Sequence, residues 1–157
     1  MNYSIVNLKE LTRYDIELFY SGYLPRIDYS YKEDFQKSYP EFLNWLKRIQ
    51  TVNSKDRKEI LLFKNRIPVG FSILKYSERK ICSFYIIPYF RGKGYSSILL
   101  RESIKELNTK YPLITVSDKV KDNFINLFSK YNFRLIAELD NLYRDNSVEY
   151  IFNKEFK

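Results

Sequence analysis

The sequence predicts an α/β fold with a mixed, mostly antiparallel central sheet and helices on both faces. Three observations predict it: three consecutive β-rich runs in the first half, a strand–loop–helix–strand segment in the second half, and apolar residues that alternate between strand and helix spacing. An antiparallel half followed by a right-handed β–α–β crossover is typical of one mixed sheet. We expect the 157 residues to form a single domain, 1–157.

The first half of the chain supplies a strand, two helices and three further strands. Their predicted bounds are 3–8 for the strand, 11–22 and 38–50 for the helices, and 58–64, 67–76 and 80–87 for the strands. The second helix opens on a capping box formed by Ser38 and Glu41. Asn65 and Arg66 suit a tight reversal, so we expect the three strands to pair as an antiparallel meander.

The second half supplies two helices and three strands. An apolar stripe at helical spacing predicts a helix that ends near Thr109. A second stripe predicts the last helix, and its members are Phe124, Leu127, Phe128 and Tyr131. Strands are predicted at 113–116, 133–139 and 147–153, which makes the element order β-α-α-β-β-β-α-β-α-β-β.

Histidine is absent from the sequence, and its absence excludes several classes of enzyme. Ser-His and Cys-His nucleophile systems and the usual zinc hydrolases all need it, so we expect no metal. Cys82 has no second cysteine or histidine to activate it. Because it lies between Ile81 and Phe84, we expect a small core residue.

The charge balance favours an anionic partner, since 27 Lys and Arg against 19 Asp and Glu give a net charge of +8. Coenzyme A and nucleic acid both fit this charge, but no RNA motif or clustered basic helix accompanies it, so nucleic acid is the less favoured partner. No apolar run reaches the length of a membrane span and no signal peptide is evident. We therefore expect a cytoplasmic protein without membrane contact.

A glycine-containing loop separates the strand at 80–87 from the following helix. Gly92 and Gly94 allow backbone conformations that point several N–H groups to one side, and the helix adds its free N-terminal donors. Side chains that add charge or hydroxyl donors are Arg91, Lys93, Ser96 and Ser97. The loop therefore predicts an anion cradle of the size of a pyrophosphate.

Other interpretations of this loop remain open to different degrees. Two glycines can simply make a tight strand-to-helix turn. A nucleotide P-loop would need glycine at Ile87 and Ser or Thr at Gly94, and a dinucleotide motif would need glycine at Ser97. Asp118 lies at a plausible distance for a ribose contact, but the preceding meander does not fit the dinucleotide-binding fold.

The segment Arg91–Ser96 resembles the pyrophosphate motif of the GCN5-related N-acetyltransferase (GNAT) family, which is Gln or Arg, two residues, Gly, one residue, and Gly or Ala. Ser96 replaces the final Gly or Ala. Three further segments between residues 58 and 135 resemble the family in context: Ile86–Phe90, Val69–Phe71 and Tyr131–Phe133.

The resemblance implies the acyl-CoA N-acyltransferase fold and direct transfer of an acetyl group from acetyl-CoA to a primary amine. The amine would belong to a small molecule, a protein N-terminus or a lysine. In the family, backbone N–H groups of the strand before the loop polarise the thioester, which implies Phe84 to Ile87 here. The implied cofactor-binding residues are Phe84, Ile86, Ile87, Arg91, Gly92, Lys93, Gly94, Tyr95, Ser96, Ser97, Asn123 and Phe128.

At the positions of the family's catalytic residues, this sequence departs from the family pattern. Ser83 and Tyr85 share a strand face where the family often has a glutamate, and we expect them to hold a water. The family's tyrosine that protonates the leaving thiolate falls at Phe128, so the substitutes are Ser117 and Tyr131. The family's helix-opening asparagine falls at Lys121, with Asn123 the nearest asparagine.

Two predictions concern the acceptor and an alternative function. Four tyrosines crowd the segment where the family builds its acceptor pocket, and they equally suit the contact of a homodimer; they are Tyr20, Tyr23, Tyr29 and Tyr31. Phe128 and the missing strand carboxylate also fit a catalytically silent domain that binds CoA without turnover.

Overall fold

The computed structural model describes residues 3–7, 33, 40, 55–64, 67–143 and 145–154. The predicted helices at 11–22 and 38–50, the turn at 65–66 and the four tyrosines lie outside the described residues, except that Pro40 is helical.

In the described residues, seven strands form one sheet in the order β1-β2-β3-β4-β5-β7-β6. Their bounds are β1 Ser4–Asn7, β2 Arg57–Lys64, β3 Ile67–Lys75, β4 Lys80–Ile86, β5 Leu113–Ser117, β6 Leu135–Asp140 and β7 Val148–Phe152. Among these described strands, only β4 and β5 pair in parallel. The predicted mixed, mostly antiparallel sheet is therefore confirmed.

Two helices are described, α1 over Tyr95–Leu107 and α2 over Lys121–Lys130. Helix α1 ends earlier than predicted because Asn108 adopts a left-handed conformation with φ 51° and its N–H closes the last turn on Lys105. A short 3-10 turn, Pro88–Phe90, lies between β4 and the glycine loop.

Both described helices pack on the same side of the sheet, which we call the helix face. Ser103 of α1 donates a hydrogen bond to Ser72 of β3 at 3.0 Å, and Phe128 of α2 shares one core with α1 and the strands. The opposite face carries its own buried apolar side chains, which stand outside that core: Leu61, Ile73, Leu113 and Ile151.

Strands β4 and β5 separate soon after they meet. Their pairing consists of Lys80 with Leu113 and Ile81 with Ile114, and the register ends there. Both strands continue beyond these pairs toward the glycine loop and Ser117. A gap that we call the splay therefore opens between β4 and β5, at the end of the sheet where the loop lies.

The prediction that Cys82 is a core residue is wrong. Ile73 pairs with Ser83 and Leu74 with Ile81, so Cys82 is the extra residue of a β-bulge. The bulge turns its side chain outward, and Cys82 is exposed. The bulge also shifts by one residue the alternation of side chains between the two faces of β4. Ser83 and Tyr85 therefore lie on the sheet face opposite α1 and α2.

Candidate active site

The glycine loop has the backbone geometry that its composition predicts. Gly92 has φ 72°, and Gly94, which caps α1, has φ 90° and ψ −3°. Both values lie in the left-handed region that favours glycine. The N–H of Ile98 donates to the Gly94 carbonyl at 3.4 Å, and N–H groups earlier in a helix's first turn have no such partner. The loop therefore presents amide donors to a ligand.

Two basic side chains flank this loop and both are exposed. Arg91 Nε donates to the Ile86 carbonyl at 2.9 Å, and its guanidinium carbon lies 5.4 Å from the centroid of the Tyr85 ring. Lys93 Nζ lies 4.0 Å from the centroid of the Tyr89 ring. Arg91 thus ties the loop to the end of β4, while the aromatic contact holds the Lys93 charge beside the cradle.

Tyr95 belongs to the cradle through its backbone alone. Its side chain is 3% exposed and packs edge-on against Phe90, with ring centroids 5.3 Å apart. This contact anchors the first turn of α1 in the core. Ser96 and Ser97 follow as half-buried residues in the same turn.

Ser97 is the centre of a small hydrogen-bond cluster that joins α1 to the end of α2. The Tyr131 hydroxyl lies 2.9 Å from Ser97 Oγ and donates to the Ser97 carbonyl at 3.1 Å. Lys130 Nζ donates to Ser97 Oγ at 3.3 Å. Tyr131, predicted as a substitute for the tyrosine that protonates the thiolate, therefore lies beside the first turn of α1, and Lys130 adds a positive charge that the motif does not contain.

Only some of the predicted β4 amides can face a thioester. The Ile87 N–H donates to the Val69 carbonyl at 2.8 Å, which corrects its prediction as a cofactor donor. Because N–H directions alternate along a strand, the Tyr85 N–H points toward β3 as well, and those of Phe84 and Ile86 point toward the splay. Phe84 and Ile86 are therefore the two backbone donors that the fold leaves on the open edge of β4.

The two residues of α2 that were predicted to bind the cofactor differ in exposure. Phe128 is 3% exposed, with ring centroids 4.7 Å from Phe152 and 5.1 Å from Phe133. The structure therefore places Phe128 in the hydrophobic core. Asn123 is exposed in the first turn, and Lys121 Nζ lies 4.0 Å from the Tyr150 ring centroid.

Polar residues of the described strands collect on the face of the sheet opposite α1 and α2. Ser83 pairs with Ile73, which pairs with Glu59 of β2, and Ser117 pairs with Glu149 of β7. Residues in register share a face. Glu59 is 5% exposed and Glu149 is 6% exposed.

Sequence reasoning missed both glutamates. Each lies within an apolar strand sequence, Glu59 before Ile60 and Glu149 before Tyr150. A carboxylate at an inward position of a predicted strand was the available signal, because buried carboxylates are rare unless they have a partner or a function.

Two negative findings apply to the described residues. None of the helices there is long and apolar enough to cross a membrane. Nor do three or more acidic or cysteine side chains gather there in a way that could hold a metal ion.

Several solved structures are similar to this chain over nearly its whole length. The ribosomal-protein-S18-alanine N-acetyltransferase of Escherichia coli has a TM-score of 0.62 and 15% identity, with 96% of this chain and 91% of that chain covered. The N-acetyltransferase PseH of Campylobacter jejuni, in complex with acetyl coenzyme A, has a TM-score of 0.58 and 17% identity over 98% and 99%. A GNAT-family protein of Desulfovibrio desulfuricans, assigned as an acetyltransferase, has a TM-score of 0.59 and 12% identity over 96% of each chain.

The chain has the GNAT acetyltransferase fold. The predicted fold is therefore confirmed, and the GNAT element order accounts for both the splay and the loop at one end of the sheet. No family model matches the sequence, and comparison with curated proteins found no significant match. At identities of 12–17%, the likeness shows the GNAT fold alone.

Proposed function

We propose that the protein is an N-acetyltransferase that moves the acetyl group of acetyl-CoA directly to a primary amine. The observation that carries the proposal is the continuity of the cradle with the splay. Gly92 and Gly94 adopt left-handed backbone conformations in the loop before α1, and the open edge of β4 lies next to this loop. A pyrophosphate at the loop would direct the pantetheine arm along this edge.

The residues present would divide the binding of acetyl-CoA between them. The loop amides, Arg91, Lys93 and Lys130 would hold the pyrophosphate, since charge-assisted hydrogen bonds are the strong ones. The N–H groups of Phe84 and Ile86 would polarise the thioester carbonyl and stabilise the oxyanion that forms on attack.

The comparisons support both partners in this reaction. One similar structure contains acetyl coenzyme A, and another belongs to an enzyme named for acetylating an alanine of a ribosomal protein. A spermidine N-acetyltransferase chimera has a TM-score of 0.63 and 15% identity. We propose a primary amine as acceptor here, on a small molecule or a protein. A cytoplasmic location is supported by the single cysteine.

The test is release of CoA thiol from acetyl-CoA in the presence of a panel of primary amines that includes spermidine and an alanine-terminal peptide. Amine-dependent release above the rate without protein is expected. The panel should be run beside the Gly94→Trp variant, whose bulky side chain at a left-handed position disrupts the cradle. Equal rates for the two proteins would contradict the proposal.

A second candidate, a domain that binds CoA without turnover, is favoured by one observation. The position of the family's thiolate-protonating tyrosine holds Phe128, which is buried and has no hydroxyl. This candidate predicts the same affinity for acetyl-CoA and no amine-dependent thiol release from any member of the panel.

A further inference from the structure

The open end of the splay carries a buried polar group on the sheet face opposite α1 and α2. It consists of Ser117 at the end of β5, Glu149 of β7 and Ser147, one residue before β7; we call these three the acceptor cluster. Ser117 and Glu149 are in register, which separates their Cβ atoms by about 5 Å. Ser147 is two residues from Glu149, so both lie on the same face of the extended chain.

Burial makes this cluster unusual. Ser147 is 3% exposed and Glu149 is 6% exposed, among apolar neighbours such as Ile151. In the part of the chain that the structure describes, Ser147 Oγ is buried and makes no hydrogen bond. Native proteins seldom leave a buried hydroxyl unpaired without a reason, and a ligand is one such reason.

The cradle and the acceptor cluster differ in charge. The cradle at the start of α1 is basic through Arg91, Lys93 and Lys130, which suits an anionic cofactor. The acceptor cluster contains the Glu149 carboxylate and two hydroxyl groups, which suit a cationic ammonium. An amine that approaches from the cluster's face would therefore meet the thioester through the splay, without competing with the cofactor for its binding site.

We propose that the acceptor cluster is the binding site for the acceptor's ammonium group and that Glu149 takes its proton. This inference rests on the proposed acetyltransferase function. The ammonium gives one proton to the Glu149 carboxylate, with Ser117 and Ser147 hydrogen-bonded to the nitrogen. The neutral amine attacks the thioester carbonyl, so that a C–N bond forms and the C–S bond breaks. The proton left on nitrogen neutralises the CoA thiolate, and Glu149 returns its proton to solvent.

Glu59 is the competing carboxylate and serves as a matched control. It is equally buried on the same face, but β3 separates it from β4, and it lies on the far side of β4 from the splay. Glu149 has only β5 between itself and the splay. Replacement of Glu59 by glutamine therefore tests whether any buried carboxylate on this face gives the same result.

The experiment compares wild type with Glu149→Gln, Glu59→Gln and Ser147→Ala, using acetyl-CoA with butylamine, spermidine and an alanine-terminal peptide. Glu149→Gln should lower kcat by about 10²-fold or more while the Kd for acetyl-CoA stays unchanged. Ser147→Ala should raise the KM for the amine by about fivefold without lowering Tm, because its hydroxyl makes no hydrogen bond to the described residues. Glu59→Gln should retain kcat.

Glu149→Asp keeps the charge and retracts the carboxylate by one methylene, and it should lower kcat by about tenfold or more even if Glu149→Gln does not fold. Unchanged kcat in both Glu149 variants, or a loss of kcat confined to Glu59→Gln, would overturn this inference and leave the proposed acetyltransferase function intact. A wild-type protein that binds acetyl-CoA and acetylates none of the three amines would overturn the inference together with the catalytic part of the proposed function. Absence of acetyl-CoA binding would instead refute the proposed function at its first step.

Discussion

Replacement of Tyr131 by phenylalanine should separate a binding role of its hydroxyl from a catalytic one. The hydroxyl lies 2.9 Å from Ser97 Oγ and donates to the Ser97 carbonyl at 3.1 Å. A neutral hydrogen bond contributes about 0.5–1.5 kcal/mol to stability, and the half-buried position of Tyr131 favours the lower part of that range. We therefore expect the free energy of unfolding to fall by about 1 kcal/mol.

The same loss should weaken acetyl-CoA binding, because Ser97 lies in the first turn of α1 and would no longer be held in place. A free-energy change of about 1 kcal/mol corresponds to roughly a fivefold increase in Kd. The rate at saturating acetyl-CoA should stay close to wild type, since the hydroxyl contacts Ser97 beside the cradle and does not contact the β4 amides that would hold the thioester.

Calorimetric titration with acetyl-CoA gives the Kd, and thiol release at saturation gives kcat. Tyr111→Phe is the matched control, because Tyr111 is 49% exposed and follows the C-terminal end of α1, whereas the cradle lies at the N-terminal end. If Tyr131 is instead the general acid for the thiolate, kcat should fall by about 10²- to 10⁴-fold with an unchanged Kd. That result would refute the structural reasoning.

Three further predictions concern other parts of the fold. Gly70→Ala should destabilise the protein by about 1–3 kcal/mol in denaturant unfolding, because the new Cβ would lie 2.3 Å from the Tyr85 carbonyl oxygen; unchanged stability would contradict the close approach of β3 and β4. At Gly92, with φ 72° and open space around a Cβ, Asn should preserve acetyl-CoA affinity and Val should weaken it in a calorimetric comparison. Burial and the hydrogen bond to Glu106 raise the pKa of Tyr76 to about 12 from 10.0, so its stabilisation should be present below pH 10 and lost as pH rises toward 12. Tyr76→Phe should lack that part of the alkaline loss of stability in unfolding titrations.

Local patterns in the sequence predicted the strands and the loop well. The β-rich runs at 58–64 and 80–87 differ from β2 and β4 by one residue at one end. Such runs are short, bounded by turn residues and dominated by their own propensities. The loop was predicted equally well, because Gly92 and Gly94 adopt positive φ angles that glycine accepts more readily than other residues.

Features that depend on contacts between distant segments could not be predicted in this way. The exposure of Cys82 follows from a register shift between β3 and β4, which composition does not encode. The contact of Tyr131 with Ser97 joins residues 34 positions apart. The burial of Glu149 depends on the pairing of β7 with β5, which the order of elements alone does not specify.

The central claim is that the loop between β4 and α1 binds the pyrophosphate of acetyl-CoA, and calorimetric titration of wild type, Gly92→Asn and Gly94→Trp with acetyl-CoA tests it most directly. The account predicts saturable one-to-one binding by wild type and Gly92→Asn, and none by a folded Gly94→Trp. Binding of equal strength by Gly94→Trp, or no binding by the wild-type protein, would contradict it.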